Sequence, residues 1–273
     1  MNEAILNRKG VRKVADLPNE VLSLLNQGKI PTVNLTEWLA IDHVELLQNN
    51  YQQIGLSDKN VQHIAEKIKA QKKASAMNTT KLVGTTVYEL YADKKMFPTI
   101  LKKLSSHPAD AIRCYAPYLI ALNDQLTIKE KLDQSKPLVA DTHFGVREVV
   151  WMALRPEIEQ HLAKAIRLLS TWTKSKDENI RRFTTEATRP RGVWCKHIDA
   201  LKEEPEKALP ILEALKNDDS KYVQDSVGNW LNDASKSKPD FVISLGNRWQ
   251  EESPTKATQK IIKRARRTID KKT

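Results

Sequence analysis

The chain has 273 residues, 40% of them hydrophobic, enough to bury one extended core or two small ones, which excludes disorder of the whole. Lysine and arginine number 45 against 34 aspartates and glutamates, a net charge of +11, so the first partner implied is a polyanion such as nucleic acid. Eight glycines are too few for the turns of a β-sandwich, a barrel or a nucleotide-binding α/β fold, and nowhere do 18 apolar residues run together as a membrane span requires.

Residues 1–75 read as a helical lead-in. Asn34-Leu35-Thr36-Glu37 has the form of a helix start ahead of Trp38, Leu39 and Ile41. A second helix is predicted from Ser57-Asp58, with Val61, Ile64, Ala65 and Ile68 on one face. Lys67, Lys69, Lys72 and Lys73, followed by residues 75–80, read as a basic linker or mobile loop, either solvated or in contact with nucleic acid. The remainder, 76–273, is expected to continue as one domain. The N-terminus lacks the apolar core of a signal peptide, and Cys114 and Cys195 have no C-x-x-C spacing. A reducing cytoplasm is the compartment expected, with neither a disulfide nor a zinc site.

Sliding the chain against itself aligns segments that start at His107, Asp141, Asp177 and Asp219. Three open with Asp, which can accept the free N–H groups of a first helical turn. Each is followed by a second helix, over 159–172 and 205–216 in the middle two cases. A two-helix unit of this length is the signature of HEAT-like repeats, which bury their apolar stripes only by stacking. The predicted fold is therefore all-α, a curved solenoid of HEAT-like two-helix repeats with a basic concave face suited to double-stranded DNA.

The first helices of successive repeats present cations, a carboxylate and an indole. Arg147, Glu148 and Trp151 come first, with His143. Arg181, Arg182, Glu186, Arg189, Arg191, Trp194 and Lys196 follow, then Trp230, Asp233 and Lys236. The cations can hold phosphates, and Lys263 and Arg264 extend that set. Glu148, Glu186 and Asp233 would repel a phosphate backbone, so they require another cause. One is ordinary ion pairing with Arg147, Arg182 or Arg189. The other is stabilisation of positive charge that develops on a sugar as an N-glycosidic bond breaks, with placement of the attacking water. Trp38, Trp172 and Trp249 read as core, whereas Trp151, Trp194 and Trp230 divide between packing and ligand contact. No H-E-x-x-H, P-loop, dinucleotide fingerprint or nucleophile elbow occurs, so no metal and no nucleotide cofactor is expected.

The blocks H-F-G-V-R-E (143–148), R-R-F-T-T-E-A-T-R-P-R-G-V-W (181–194), N-W-L-N-D-A-S-K (229–236) and T-K-A-T-Q-K-I-I-K-R-A-R-R (255–267) resemble the DNA alkylation repair family of HEAT-like-repeat glycosylases, its AlkC branch more than AlkD. The resemblance covers roughly residues 85 to 270. It implies a C-shaped helical solenoid that excises cationic alkylpurines, notably 3-methyladenine, without a cofactor or a lyase step, and acts as a monomer on alkylated or distorted duplex. Carried over by motif, Glu186, Trp194 and Asp233 match catalytic positions, with Glu148 a looser match. The AlkF and AlkG relatives imply an alternative, binding of branched DNA without excision. A protein-binding HEAT scaffold is the third reading.

Overall fold

The computed structural model describes residues 3–271, and among them every regular element is a helix. Two compact units form, Met1–Gln125 with Asp141–Ala153 and Leu126–Ala140 with Leu154–Thr273. The division falls within the helix Phe144–Gln160.

In the first unit, helices begin where short polar side chains can accept free N–H groups. Asn34 accepts from Glu37 N and opens Leu35–Ala40, and Ser57 accepts from Asn60 N and opens Asp58–Lys69. The stretch 75–80, expected as a linker, is instead another helix start. Ser75 caps Ala76–Tyr91, and Thr79 and Thr80 are buried. Their hydroxyls bond locally, Thr79 to Gln71 Oε1 and Thr80 to Ala76 O, both at 2.8 Å, so polar residues there do not require solvent. Leu46, Ile54, Ile64, Val83, Val87 and Leu119 are fully buried, each contributing about 1.5–3 kcal/mol.

In the second unit, Lys221–Ser235 packs between Glu178–Glu186 and Lys256–Ala265. Gly228 permits the close approach, because a Cβ there would lie 2.8 Å from Arg264 Cβ. Trp230 and Trp249 fill this core, and Trp172 is also buried. The second helix expected over 159–172 begins later, since Phe144–Gln160 runs on and Leu162–Trp172 follows a break at His161. Residues 205–215 form three short turns, Pro205–Ala208, Leu209–Leu212 and Glu213–Leu215, rather than one helix. Pro205 and Pro210 bring no N–H to a continuous ladder.

Side chains set the repeat register. In the first unit Arg113 Nη1 donates to the carbonyls of His107 and Pro108, and Arg147 Nη1 to those of Asp141 and Thr142. In the second unit Arg181 Nη1 donates to Ser175 and Lys176, and Gln224 Nε2 to Asp218 O. Two of these arginines also fork onto the opening aspartate of the next repeat, Arg113 onto Asp141 at 2.7 and 3.0 Å and Arg181 onto Asp218 at 2.6 and 2.9 Å. The repeats therefore start at 107, 141, 175 and 218. Asp177 is the cap of Glu178–Glu186 rather than a repeat start.

Two buried histidines make the first unit sensitive to acid. His43 Nδ1 lies 2.6 Å from Tyr115 Oη, and its Nε2 has no hydrogen-bond partner among the described residues. His107 Nδ1 accepts from Ala109 N, which leaves Nε2 to carry the hydrogen, also buried without a partner. Burial pushes both pKa values down to about 4, for His107 with help from Arg113. The unfolded chain binds these protons near pH 6.5 and the folded chain does not, so stability is full above that pH and declines as pH falls toward 4. The loss for His43 alone is about 3 kcal/mol by pH 4. Urea unfolding at pH 7.5 and 4.5 should show it, and His43→Gln should flatten the dependence. An unchanged slope in that variant would place the acid sensitivity elsewhere.

Candidate nucleic-acid site

The segment between Glu178–Glu186 and Asp199–Glu203 is a loop whose base is held and whose tip is open. Trp230 Nε1 donates to Thr188 O at 2.9 Å, and Ile198 N donates to Pro190 O at 3.1 Å. Arg191 reaches Asp233 O at 3.3 Å and Ser237 Oγ at 2.6 Å. Arg155, from the helix Phe144–Gln160, donates to Lys196 O, Ala187 O and Arg189 O. At the tip, Val193 and Trp194 are exposed, Trp194 by 60%, the most of any large hydrophobic side chain described. Trp194 is also the one non-glycine residue described with positive φ, at 58°. That left-handed backbone costs a bulky residue about 1–2 kcal/mol, which the anchored limbs must offset.

Beneath the loop lie two buried carboxylates. Glu186, 3% exposed, accepts from Ser226 Oγ at 2.8 Å, with Arg182 at 3.5 Å and Arg189 at 3.4 Å. Asp233, also 3% exposed, accepts from Arg189 Nε and Nη2 at 2.9 and 2.6 Å and from Lys236 Nζ at 3.0 Å. Burial works against the charge of Arg189, but the two carboxylates outweigh it and raise its pKa. Arg182 also stacks on Tyr222, 4.3 Å from the ring centroid. The cations here outnumber the carboxylates, so an anion is welcome at the rim.

The second unit thus brings together Glu186, Arg182, Arg189, Arg191, Asp233 and Lys236 at the base of the loop that carries Trp194. Lys196 is open, its side chain 78% exposed and 3.6 Å from Glu159. Lys263 is exposed, and Arg264 pairs with Asp225 at 2.8 Å. Glu148 belongs to the first unit, where it accepts from Trp151 Nε1 at 3.0 Å. Three expected DNA contacts need correction. Arg147 and Arg181 serve the repeat ladder, and Trp230 is wholly buried with its N–H spent on Thr188, so it packs against protein. Trp151 likewise packs within the core. Sequence reasoning missed Ser226, Gly192 and Arg155. The last was legible as one cation in the apolar run from Val149 to Ile158. Among the described residues no group of His, Cys, Asp and Glu could hold a metal ion, and no helix is long and apolar enough to cross a membrane.

Helical repeats carrying buried acid among cations define the class as a HEAT-like repeat protein. Residues 141–265 match the model of the DNA alkylation repair enzyme family. It is 41% identical over 137 residues to the uncharacterized protein YhaZ of Bacillus subtilis (strain 168), a match covering 50% of this chain and 37% of that protein. The fold is similar to that of the Pseudomonas fluorescens alkylpurine DNA glycosylase AlkC, solved bound to DNA containing an abasic site analog. The TM-score is 0.69 at 24% identity, over 84% of this chain and 63% of that one. AlkD2 from Streptococcus mutans gives a TM-score of 0.61 at 26% identity, over 77% of this chain and 99% of its own. The chain thus spans less than two thirds of the length of YhaZ and of AlkC.

Proposed function

We propose that this chain is a monofunctional DNA glycosylase that hydrolyses the N-glycosidic bond of cationic alkylpurines such as 3-methyladenine in duplex DNA. The observation that carries the reading is the pair of buried carboxylates, Glu186 and Asp233, bound by Arg189 at the base of the loop whose tip exposes Trp194, inside the segment that matches the family model. A positively charged base is already a good leaving group, so the protein has little acid catalysis to supply. Its task is to stabilise the cationic sugar and to orient water, which a desolvated carboxylate does better than a solvated one. Arg189 occupies both acids in the free protein. Transfer of its guanidinium to a DNA phosphate would turn Asp233 toward the sugar. Trp194 supplies an aromatic face for a cationic ring. No lysine nucleophile enters this mechanism, so strand cleavage does not follow base release.

Incubation of the chain with methylated duplex, followed by chromatography of the released bases, tests the reading. Free 3-methyladenine is the expected product, and absence of any released base would refute it. One observation favours a second reading, duplex or branched-DNA binding without excision. Both acids of the second unit are already saturated by Arg and Lys donors, and Glu148 is occupied by Trp151. A protein that releases no base yet prefers a junction to a duplex would establish that alternative.

A further inference from the structure

We propose that Arg155 is the positioning residue of the Trp194 loop, holding the indole where it meets DNA. The proposal rests on the reading of Trp194 as a DNA contact and adds to it the device that sets the contact.

Arg155 is almost wholly buried, 2% exposed, and spends its donors on one loop. On the entering limb it bonds to the carbonyls of Ala187 and Arg189, and on the leaving limb Nε bonds to Lys196 O at 2.7 Å. One planar guanidinium therefore ties together the two limbs that flank the tip. The tip itself folds back over this group, because a Cβ on Gly192 would stand 3.0 Å from Arg155 Cζ and 2.2 Å from Cys195 Sγ. Only glycine lets the backbone lie so close, and two residues later the chain takes the left-handed turn that throws Trp194 outward.

Arg155 differs from the arginines that hold the repeats together. Arg113 and Arg181 each fork onto an aspartate, whereas Arg155 spends its described hydrogen bonds on backbone carbonyls, and its burial disfavours its charge. A buried cation satisfied by neutral carbonyls is costly for the fold, so packing alone does not call for it. The preceding repeat has Ala121 at the equivalent position, fourteen residues from its start as Arg155 is from Asp141, so the repeat itself does not require arginine there. What the site gains is a loop with its strained residue fixed before any ligand arrives, which lowers the cost of ordering on binding.

The test uses the full chain with Arg155→Lys, which keeps the charge but cannot span both limbs, and Gly192→Ala, which pushes the tip off the guanidinium. Acrylamide quenching reads the tip directly, since Trp194 is exposed while the five other tryptophans are buried; Trp194→Phe confirms the assignment. In the wild type, an undamaged duplex should shield the quenchable indole. In both variants that shielding should be lost at saturating duplex, while duplex affinity falls by less than about tenfold, because Lys236, Lys263 and Arg264 lie outside the loop that carries Arg191 and Lys196. Release of 3-methyladenine should fall by about tenfold to a hundredfold, as a displaced contact group costs. A wild type that shields Trp194 but excises nothing would refute the glycosylase reading and leave the role of Arg155 to be decided by the shielding alone. Variants with wild-type shielding and excision would overturn the proposal. So would unfolding of both, which would assign the pair to the fold.

Discussion

Affinity of this chain for undamaged duplex DNA is expected to fall by about 10³ between roughly 50 and 200 mM salt. The expectation follows from the cations of the second unit that remain exposed or partly open. Arg181 is committed to Asp218, and Arg189 to Glu186 and Asp233. Lys196 and Lys263 are exposed, and Arg191, Lys236 and Arg264 are at least partly open. About five phosphates neutralised, at a slope of about 0.9 each, give a loss of about 500-fold, of the order stated. Lys196→Ala with Lys263→Ala should reduce the slope by about two and weaken damaged and undamaged duplexes alike, because phosphate contacts carry no lesion information. Arg181→Ala should instead lower stability and leave the slope unchanged, since its donors serve Asp218 and the carbonyls of Ser175 and Lys176. Fluorescence anisotropy across a salt series measures both. A slope near zero would remove the electrostatic interface, and a slope change in Arg181→Ala would return that residue to it.

That contrast shows what the sequence could and could not resolve. Helix starts at Asn34 and Ser57 were legible because the cap and the apolar face follow each other within a turn. The all-helical repeat class was legible from scarce glycine and recurring segments. The register was not, because Asp141 and Asp218 open repeats as acceptors of a neighbouring arginine, while Asp177 merely caps a helix. An arginine on a repeat helix reads the same in sequence whether it faces a phosphate or the next repeat, and only the i+6 return to backbone carbonyls separates the cases. Indoles are ambiguous for a like reason. Trp194 and Trp230 both sit among charged residues, yet one is exposed on a left-handed turn and the other sealed in the core. The carboxylates Glu186 and Asp233 stand out in the sequence as acids among cations, but the pairing of Asp233 with Arg189 depends on a contact across 44 residues of chain.

Asp233→Asn is expected to lower release of 3-methyladenine by about 10² while undamaged-duplex affinity stays the same or improves. The substitution keeps the shape and one carbonyl acceptor for Arg189, so it removes charge more than packing. On a phosphate-binding face, loss of an anion cannot weaken attraction to the backbone. Within a buried site the same loss removes the group that would stabilise a cationic sugar, where desolvation makes that stabilisation large. The structure also imposes a control. Arg189 keeps only Glu186 of its two charged partners and Lys236 loses Asp233, and breaking a buried pair costs stability, of the order of 3 kcal/mol. Excision must therefore be compared at a temperature where the variant is fully folded, with unfolding followed in parallel. Glu186→Gln, whose carboxylate has a hydroxyl donor in Ser226 besides its arginines, should show a smaller loss of stability. If Asp233→Asn is folded and excises at the wild-type rate, Asp233 is an ion-pair partner of Arg189 and nothing more. If excision collapses with duplex affinity intact, the acid acts on the sugar, and the binding-only reading fails with it.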